Sequence, residues 1–278
     1  MKKYWDKFRN YCRQNLICIR IYSFLQYRDH WEKLKKFPTD LIMKKNQFII
    51  KLTSTNTLFF LPYYKTDYIQ SEIFKTKLYY ENSYLRKILF EWNEGIIGKK
   101  TANNVVLDIG ANIGNHTLFF LKEAMAAKVF CFEPIADTFN ILKKNIEINS
   151  LTKQAELLNL GVGAEEGKAS ISHYDSSNIG NTSLTPDAKG KIQIISIDSL
   201  DIQDSISLIK IDVEGLEKSV MEGSIQTIKR HRPYIMIEIR NENYEEINCL
   251  FRNIGYDGEN FFKNWEYGDY LFYPNEMK

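Results

Sequence analysis

Val106-Leu-Asp-Ile-Gly-Ala-Asn-Ile-Gly-Asn-His-Thr117 decides the fold. Val105 to Ile109 is a continuous apolar run that admits a single acid, Asp108, the pattern of a strand buried on both faces. Gly110 permits a tight turn off that strand and Gly114 permits the close approach of a helix. A helical stretch follows around Thr117 to Met125. Strand, glycine turn and helix in that order open a parallel α/β unit, and the turn lies where such sheets bind ligands.

The alternation continues downstream. The pattern predicts strands at Lys128 to Phe132, Ala155 to Val162, Leu208 to Ile211 and Tyr234 to Ile239. Helices are expected over Asp137 to Asn149, from Leu216 to about Lys229, and around Ile247, Leu250, Phe251 and Ile254. An inserted β segment is expected around Ala169 to Tyr174 and Ile192 to Ile197, with an aromatic, antiparallel tail at Asp269 to Tyr273. Alternating strands and helices define an α/β, doubly wound, mainly parallel Rossmann-like sheet covered on both faces.

Upstream, Phe48 to Leu52 and Leu58 to Tyr63 read as two short strands. Leu85, Ile88, Leu89, Trp92 and Ile96 share one helical face, and Gly95 and Gly98 mark a boundary. The chain therefore divides into an N-terminal helical and β extension, residues 1–100, and a sheet domain, residues 101–278.

With 37 basic and 35 acidic side chains in 278 residues, and 44% hydrophobic residues, the composition is globular rather than disordered or fibrous. A net charge of +2 speaks against a dedicated nucleic-acid binder. Cys12, Cys18, Cys131 and Cys249 show no metal-ligand or paired spacing, which suits a reducing compartment. Residues 1–36 nevertheless carry ten basic and three acidic side chains, a local net of +7, against −5 for the remainder. The most apolar part of that segment, Leu16 to Leu25, is broken by Arg20 and is too short to span a bilayer, so a cytoplasmic protein is expected. The basic segment has three competing uses. Packing or homodimerisation is preferred to capture of an anionic substrate or contact with an anionic membrane surface.

The glycine spacing is Gly-x-x-x-Gly, not the Gly-x-Gly-x-x-Gly of dinucleotide sites. Asp108, two residues before the turn, would repel a pyrophosphate but tolerate a sulfonium or an amino group. Glu133, at the end of the second strand, can accept hydrogen bonds from both hydroxyls of a ribose. Together these residues favour S-adenosylmethionine over NAD. An NAD-dependent oxidoreductase and a non-catalytic S-adenosylmethionine-binding module are the alternative readings.

Six stretches then resemble a known family: Val106 to Asn115, Phe132-Glu-Pro134, Asn159-Leu-Gly-Val-Gly163, Ile197-Asp-Ser-Leu200, Ile209-Lys-Ile-Asp-Val-Glu-Gly215 and Ile237-Glu-Ile239. They occur in the order seen in FkbM-type methyltransferases, class I enzymes that use S-adenosylmethionine and often O-methylate sugars or polyketides. The resemblance covers residues 104 to about 240. It implies cofactor contacts at Asp108, Gly110, Asn112, Gly114, Glu133 and Pro134, and Val162 is a candidate for the adenine surface. It also implies an O-methyltransferase acting on a hydroxyl of a sugar or nucleotide-activated sugar in surface or capsular polysaccharide synthesis.

Methyl transfer needs a positioned nucleophile and a destination for the hydroxyl proton. Asp212, Glu214 and Glu238, at the ends of neighbouring strands, are candidate general bases. Alternatively Asp212 and Glu238, with Asn241, hold Mg²⁺ that acidifies the hydroxyl, by analogy with the metal site of catechol O-methyltransferases. His116, after the glycine turn, and His173, in the inserted β segment, are further candidate bases. The loop Asn178 to Leu184 is a candidate lid. No Ser-His-Asp or zinc-ligand spacing is present, and His30 and His231 have no assigned role.

Overall fold

Seven strands form one sheet in the computed structural model, which describes residues 48–53, 55–93, 104–124, 126–263 and 266–277. The basic segment, Gly95, Ile96 and Gly98 lie outside those residues. Five strands of the sheet are mutually parallel: β3 (Val105–Ile109), β4 (Lys128–Phe132), β5 (Ala155–Leu158), β10 (Ile206–Ile211) and β11 (Tyr234–Arg240). Two antiparallel strands, β13 (Tyr267–Pro274) and β12 (Tyr256–Lys263), extend the edge beyond β11. The spatial order is β12-β13-β11-β10-β3-β4-β5. The chain direction of travel reverses between β3 and β10, and in an open α/β sheet that switch point is where a crevice opens.

The sheet is doubly wound because its strands are apolar on both faces. Along β3, Val106 enters one core cluster while Val105, Leu107 and Ile109 enter the other. The first face is covered by α3 (Asn115–Lys122) and α4 (Ala136–Ile148), contributing Leu118, Phe119, Leu142 and Ile146. The second is covered by α5 (Glu217–Glu222), α6 (Ile225–His231) and α7 (Tyr244–Asn253), through Val220, Met221, Ile228, Ile247 and Phe251. The helix expected from Leu216 to Lys229 is two helices, because it breaks at Gly223, whose missing side chain lets the carbonyl of Gly163 approach.

Part of the 1–100 extension is a layer of this same core. The hairpin β1 (Ile49–Lys51) and β2 (Leu58–Phe60), with α1 (Tyr68–Thr76) and α2 (Asn82–Asn93), adds Ile50, Phe59, Ile73, Leu85 and Ile88 to the cluster holding Leu118 and Ile141. Polar ties reinforce the packing. Asn149 Oδ1 accepts from the Leu58 N–H and its Nδ2 donates back to the Leu58 carbonyl, at 3.0 and 2.7 Å.

The strand expected over Ala155 to Val162 divides. Ala155–Leu158 is β5, whereas β6 (Gly161–Val162) pairs with β9 (Ile192–Ile195) in a second, four-stranded sheet. That sheet also holds β7 (Gly167–His173) and β8 (Ser183–Pro186). Ser183 and Leu184, the expected end of the candidate lid, therefore begin a strand.

Candidate active site

A cavity of about 300 Å³ opens at the carboxyl ends of β3, β4, β10 and β11. Its floor depends on Gly110, held at φ +76°, because a Cβ there would lie 1.8 Å from the Asp212 carbonyl oxygen. The missing side chain thus lets β3 and β10 converge, and the Asp212 N–H completes the contact by donating to the Ile109 carbonyl at 3.1 Å. Gly114 (φ +88°) serves packing: a Cβ would lie 2.7 Å from Leu142 Cδ1, and the residue does not line the cavity.

Glu133, Pro134, Asn112 and Val162 line one part of the cavity. Glu133 is buried, with Oε1 accepting from the Ile135 N–H at 2.8 Å and Oε2 from the Asn112 N–H at 2.9 Å. Asn159 Nδ2 donates to the Glu133 carbonyl at 2.8 Å. Burial pushes the carboxyl up to about 7, against the pull of the two backbone donors. Each oxygen retains a lone pair, so an oriented acceptor for two ligand hydroxyls faces the cavity.

Asp212, Glu214 and Glu238 line the other part, and one carboxylate oxygen from each lies within 4.8 Å of the others. Burial, then the Asp212 charge, raises Glu214 to about 8. Burial together with Asp212, Asp269 and Glu214 holds Glu238 well above the usual carboxylate range. Arg240 Nη2 stands 3.9 Å from Glu214 Oε2. Behind them Lys210 is buried between Asp108 and Asp212, 3.4 Å from an oxygen of each, and it donates to the Gly110 carbonyl at 2.6 Å. Burial depresses the ammonium, but Asp212 and Asp108 outweigh it and push Lys210 up to about 12.

Asp108 is fully buried and does not line the cavity. Its Oδ2 accepts from Thr117 Oγ1 at 2.6 Å and its Oδ1 faces Lys210, so the structure gives it a supporting place beneath the turn rather than a direct contact. His116 also stands behind the cavity, in a chamber shared with Glu81, Tyr84, Lys210, Asp212, Glu238 and Asp269. Its Nε2 is 3.3 Å from Glu81 Oε2. His173 is exposed at the end of β7 and outside the cavity lining. Asn241 follows β11, its N–H donates to the Glu266 carbonyl at 2.9 Å, and it too lies outside the lining.

Residues 178–182 and Leu184 do line the cavity, as a roof tied to the extension. The Tyr68 N–H donates to the Ser177 carbonyl at 2.8 Å, and Asp67 Oδ2 accepts from the Ile179 N–H at 2.9 Å. Four lining or supporting groups were absent from the sequence-based set. Glu81 and Tyr80 belong to the extension, and Asn115 fixes them by accepting from the Tyr80 N–H at 3.0 Å and donating to its carbonyl at 3.1 Å. Asp269 faces Glu238 across antiparallel β13, which only the register reveals. Lys210 had a visible signal, a lysine inside the otherwise apolar run Leu208 to Ile211.

Methyltransferase sdnD of Sordaria araneosa is 22% identical over 179 residues, covering 51% of this chain and 69% of that protein. Hexuronic acid methyltransferase AglP of Haloferax volcanii is 27% identical over 142 residues, covering 49% of this chain and 56% of that protein. Among solved structures, methyltransferase FkbM from Methylobacillus flagellatus KT is 16% identical, with a TM-score of 0.46 over 69% of this chain and 54% of that one. The model of the methyltransferase FkbM domain matches residues 108–258, which run from Asp108 beneath the glycine turn through all three clustered carboxylates. On a match spanning more than half its length, the chain belongs to the FkbM methyltransferase family.

Proposed function

We propose that this protein is an S-adenosylmethionine-dependent O-methyltransferase whose acceptor is a sugar hydroxyl. The observation that carries the reading is the pairing, in one cavity, of the caged Glu133 carboxylate with the Asp212, Glu214 and Glu238 cluster. Glu133 suits ribose hydroxyls, and the acidic cluster suits a cationic centre beside a hydroxyl losing its proton. Bound in this cavity, S-adenosylmethionine supplies an electrophilic methyl group on a sulfonium. The residues of the chain then have distinct tasks. Gly110 and Asn112 shape the turn, Glu133 orients the nucleoside, and the 178–182 roof narrows access by water. Beside a sulfonium cation Glu238 would lose the proton that burial favours and could take the hydroxyl proton on a carboxylate oxygen, while Lys210 holds Asp212 in place. The likeness to a hexuronic acid methyltransferase supports a sugar acceptor.

A second reading for the same cluster is a Mg²⁺ site, favoured by carboxylate oxygens that all lie within 4.8 Å of one another. Asp212, Glu214 and Glu238 would hold the ion, Glu214 taking the place expected for Asn241, and the ion would lower the pKa of the acceptor hydroxyl. Labelled S-adenosylmethionine, with free and nucleotide-linked sugars as acceptors, tests the function. Transfer to a sugar, abolished in Glu238→Gln and Asp212→Asn at unchanged S-adenosylhomocysteine affinity, is expected. Label transfer unaffected by both substitutions overturns the site, and loss of transfer on EDTA treatment with rescue by Mg²⁺ selects the metal.

A further inference from the structure

Thr138 belongs to the first turn of α4, on the cavity wall next to Glu133 and Ile135. Only 2% of the residue is exposed, and its Oγ1 has no hydrogen-bond partner among the described residues. A helical threonine has a local remedy, because its hydroxyl can bond to the carbonyl one turn back. Thr76 takes that remedy, its Oγ1 donating to the Glu72 carbonyl at 2.7 Å. Thr138 stands in the first turn, where one turn back lies Pro134, outside the helix, whose carbonyl accepts from Asn159 Nδ2 at 3.2 Å. The Thr138 hydroxyl stays unpaired, at a cost in stability.

The same end of α4 is otherwise undercommitted. Ile135 occupies its N-cap position and offers no side-chain acceptor, while the Ile135 N–H is taken by Glu133 Oε1. When ionised, Glu133 can only accept hydrogen bonds, so it reads the donors of a ligand and none of its acceptors. A ribose hydroxyl carries one donor and two lone pairs, and an adenine ring carries several acceptor nitrogens. A donor beside Glu133 therefore completes what a nucleoside requires.

We infer that Thr138 is a further binding residue of this cavity, donating from Oγ1 to an acceptor atom on the nucleoside half of the methyl donor. The inference rests on the S-adenosylmethionine reading and adds a residue to it. It makes Thr138 strained without ligand and satisfied with it, the reverse of a residue retained for folding.

The test is calorimetric titration of S-adenosylhomocysteine, and separately of adenosine, into the full chain and its Thr138→Val, Thr138→Ala and Thr138→Ser variants. Thr138→Val preserves shape and removes the donor. It should weaken both ligands by about tenfold, the size of one lost hydrogen bond to a buried group. Thr138→Ser should stay within about threefold of the native chain, because the donor is kept. Thermal unfolding without ligand should show Thr138→Val at least as stable as the native chain. Should that variant fold poorly, Thr138→Ala against Thr138→Ser supplies the same comparison. Equal affinity of the donor-less variants and the native chain for S-adenosylhomocysteine overturns the inference alone. Weakening of S-adenosylhomocysteine without weakening of adenosine overturns the placement on the nucleoside. Failure of the native chain to bind S-adenosylhomocysteine at all overturns the cofactor reading and this inference with it.

Discussion

At the scale of single residues, the site depends on how closely two strand ends can approach. Gly110 has no tolerable substitute, since a methyl group would overlap the Asp212 carbonyl and the φ of +76° disfavours any L side chain. Gly110→Ala should cost about 2–4 kcal/mol, read by urea unfolding, and should weaken S-adenosylhomocysteine binding as Asp212 is displaced. Much of this placement was legible in the sequence. Gly110, Glu133, Asp212, Glu214 and Glu238 are near-neighbours of strand ends, and a parallel sheet brings its strand ends together without further information. Asp108 lies beneath the turn and out of the cavity lining for an instructive reason. Its position before the turn shows proximity to the site, but not the lysine two strand residues before Asp212 that binds it from behind. His173 was placed by chain proximity to a roof loop, whereas the side chain ends on the exposed side of β7.

At the scale of elements, β3 and β4 were read to the residue because both are apolar on two faces and end at polar or glycine positions. The helix α1 escaped notice because its core-facing side includes Gln70, which accepts from the Tyr63 N–H at 2.9 Å. Its start was nonetheless written in the chain: Asp67 caps the Gln70 N–H at 2.9 Å, in the Asp-x-x-Gln spacing of a capping box. The strand β12 carries Asp257, Gly258, Glu259 and Asn260, a poor strand composition, and is held in place by pairing with β13. Asp67 serves two elements at once, α1 and the cavity roof. Asp67→Ala should lower stability by about 1–2 kcal/mol as a lost cap. In addition, S-adenosylhomocysteine should dissociate faster by stopped-flow, whereas Asp67→Ser should restore the stability but not the slow dissociation. Likewise Asn149→Ala, which removes both ties to Leu58, should cost about 1–3 kcal/mol and raise amide exchange in residues 49–60.

At the scale of the whole molecule, the charge balance has a structural counterpart. Acids outnumber bases beyond residue 36, and several of them converge on one site. Burial raises Glu133 to about 7, and Glu214 and Asp269 to about 8. The folded chain therefore keeps protons that the unfolded chain has released, so this stabilisation is full below the ordinary carboxylate range and is lost as pH rises through about 7 to 8. The melting temperature of the ligand-free protein should fall between pH 5.5 and 8.5, and Asp269→Asn should flatten that fall. A flat native profile would contradict the burial account. The extension shares its core with α3 and α4, which the pattern does not disclose because Gly95 and Gly98 mark a boundary just before the strand–helix alternation begins. Its roof contacts and Glu81 bring cavity surface from outside residues 108–258. One titration tests the cofactor assignment most directly: S-adenosylhomocysteine and NAD⁺, in parallel, into the full chain and its Glu133→Ala variant. Micromolar binding of S-adenosylhomocysteine that is lost in the variant, with no heat from NAD⁺, is predicted. Binding of NAD⁺ without S-adenosylhomocysteine would contradict it.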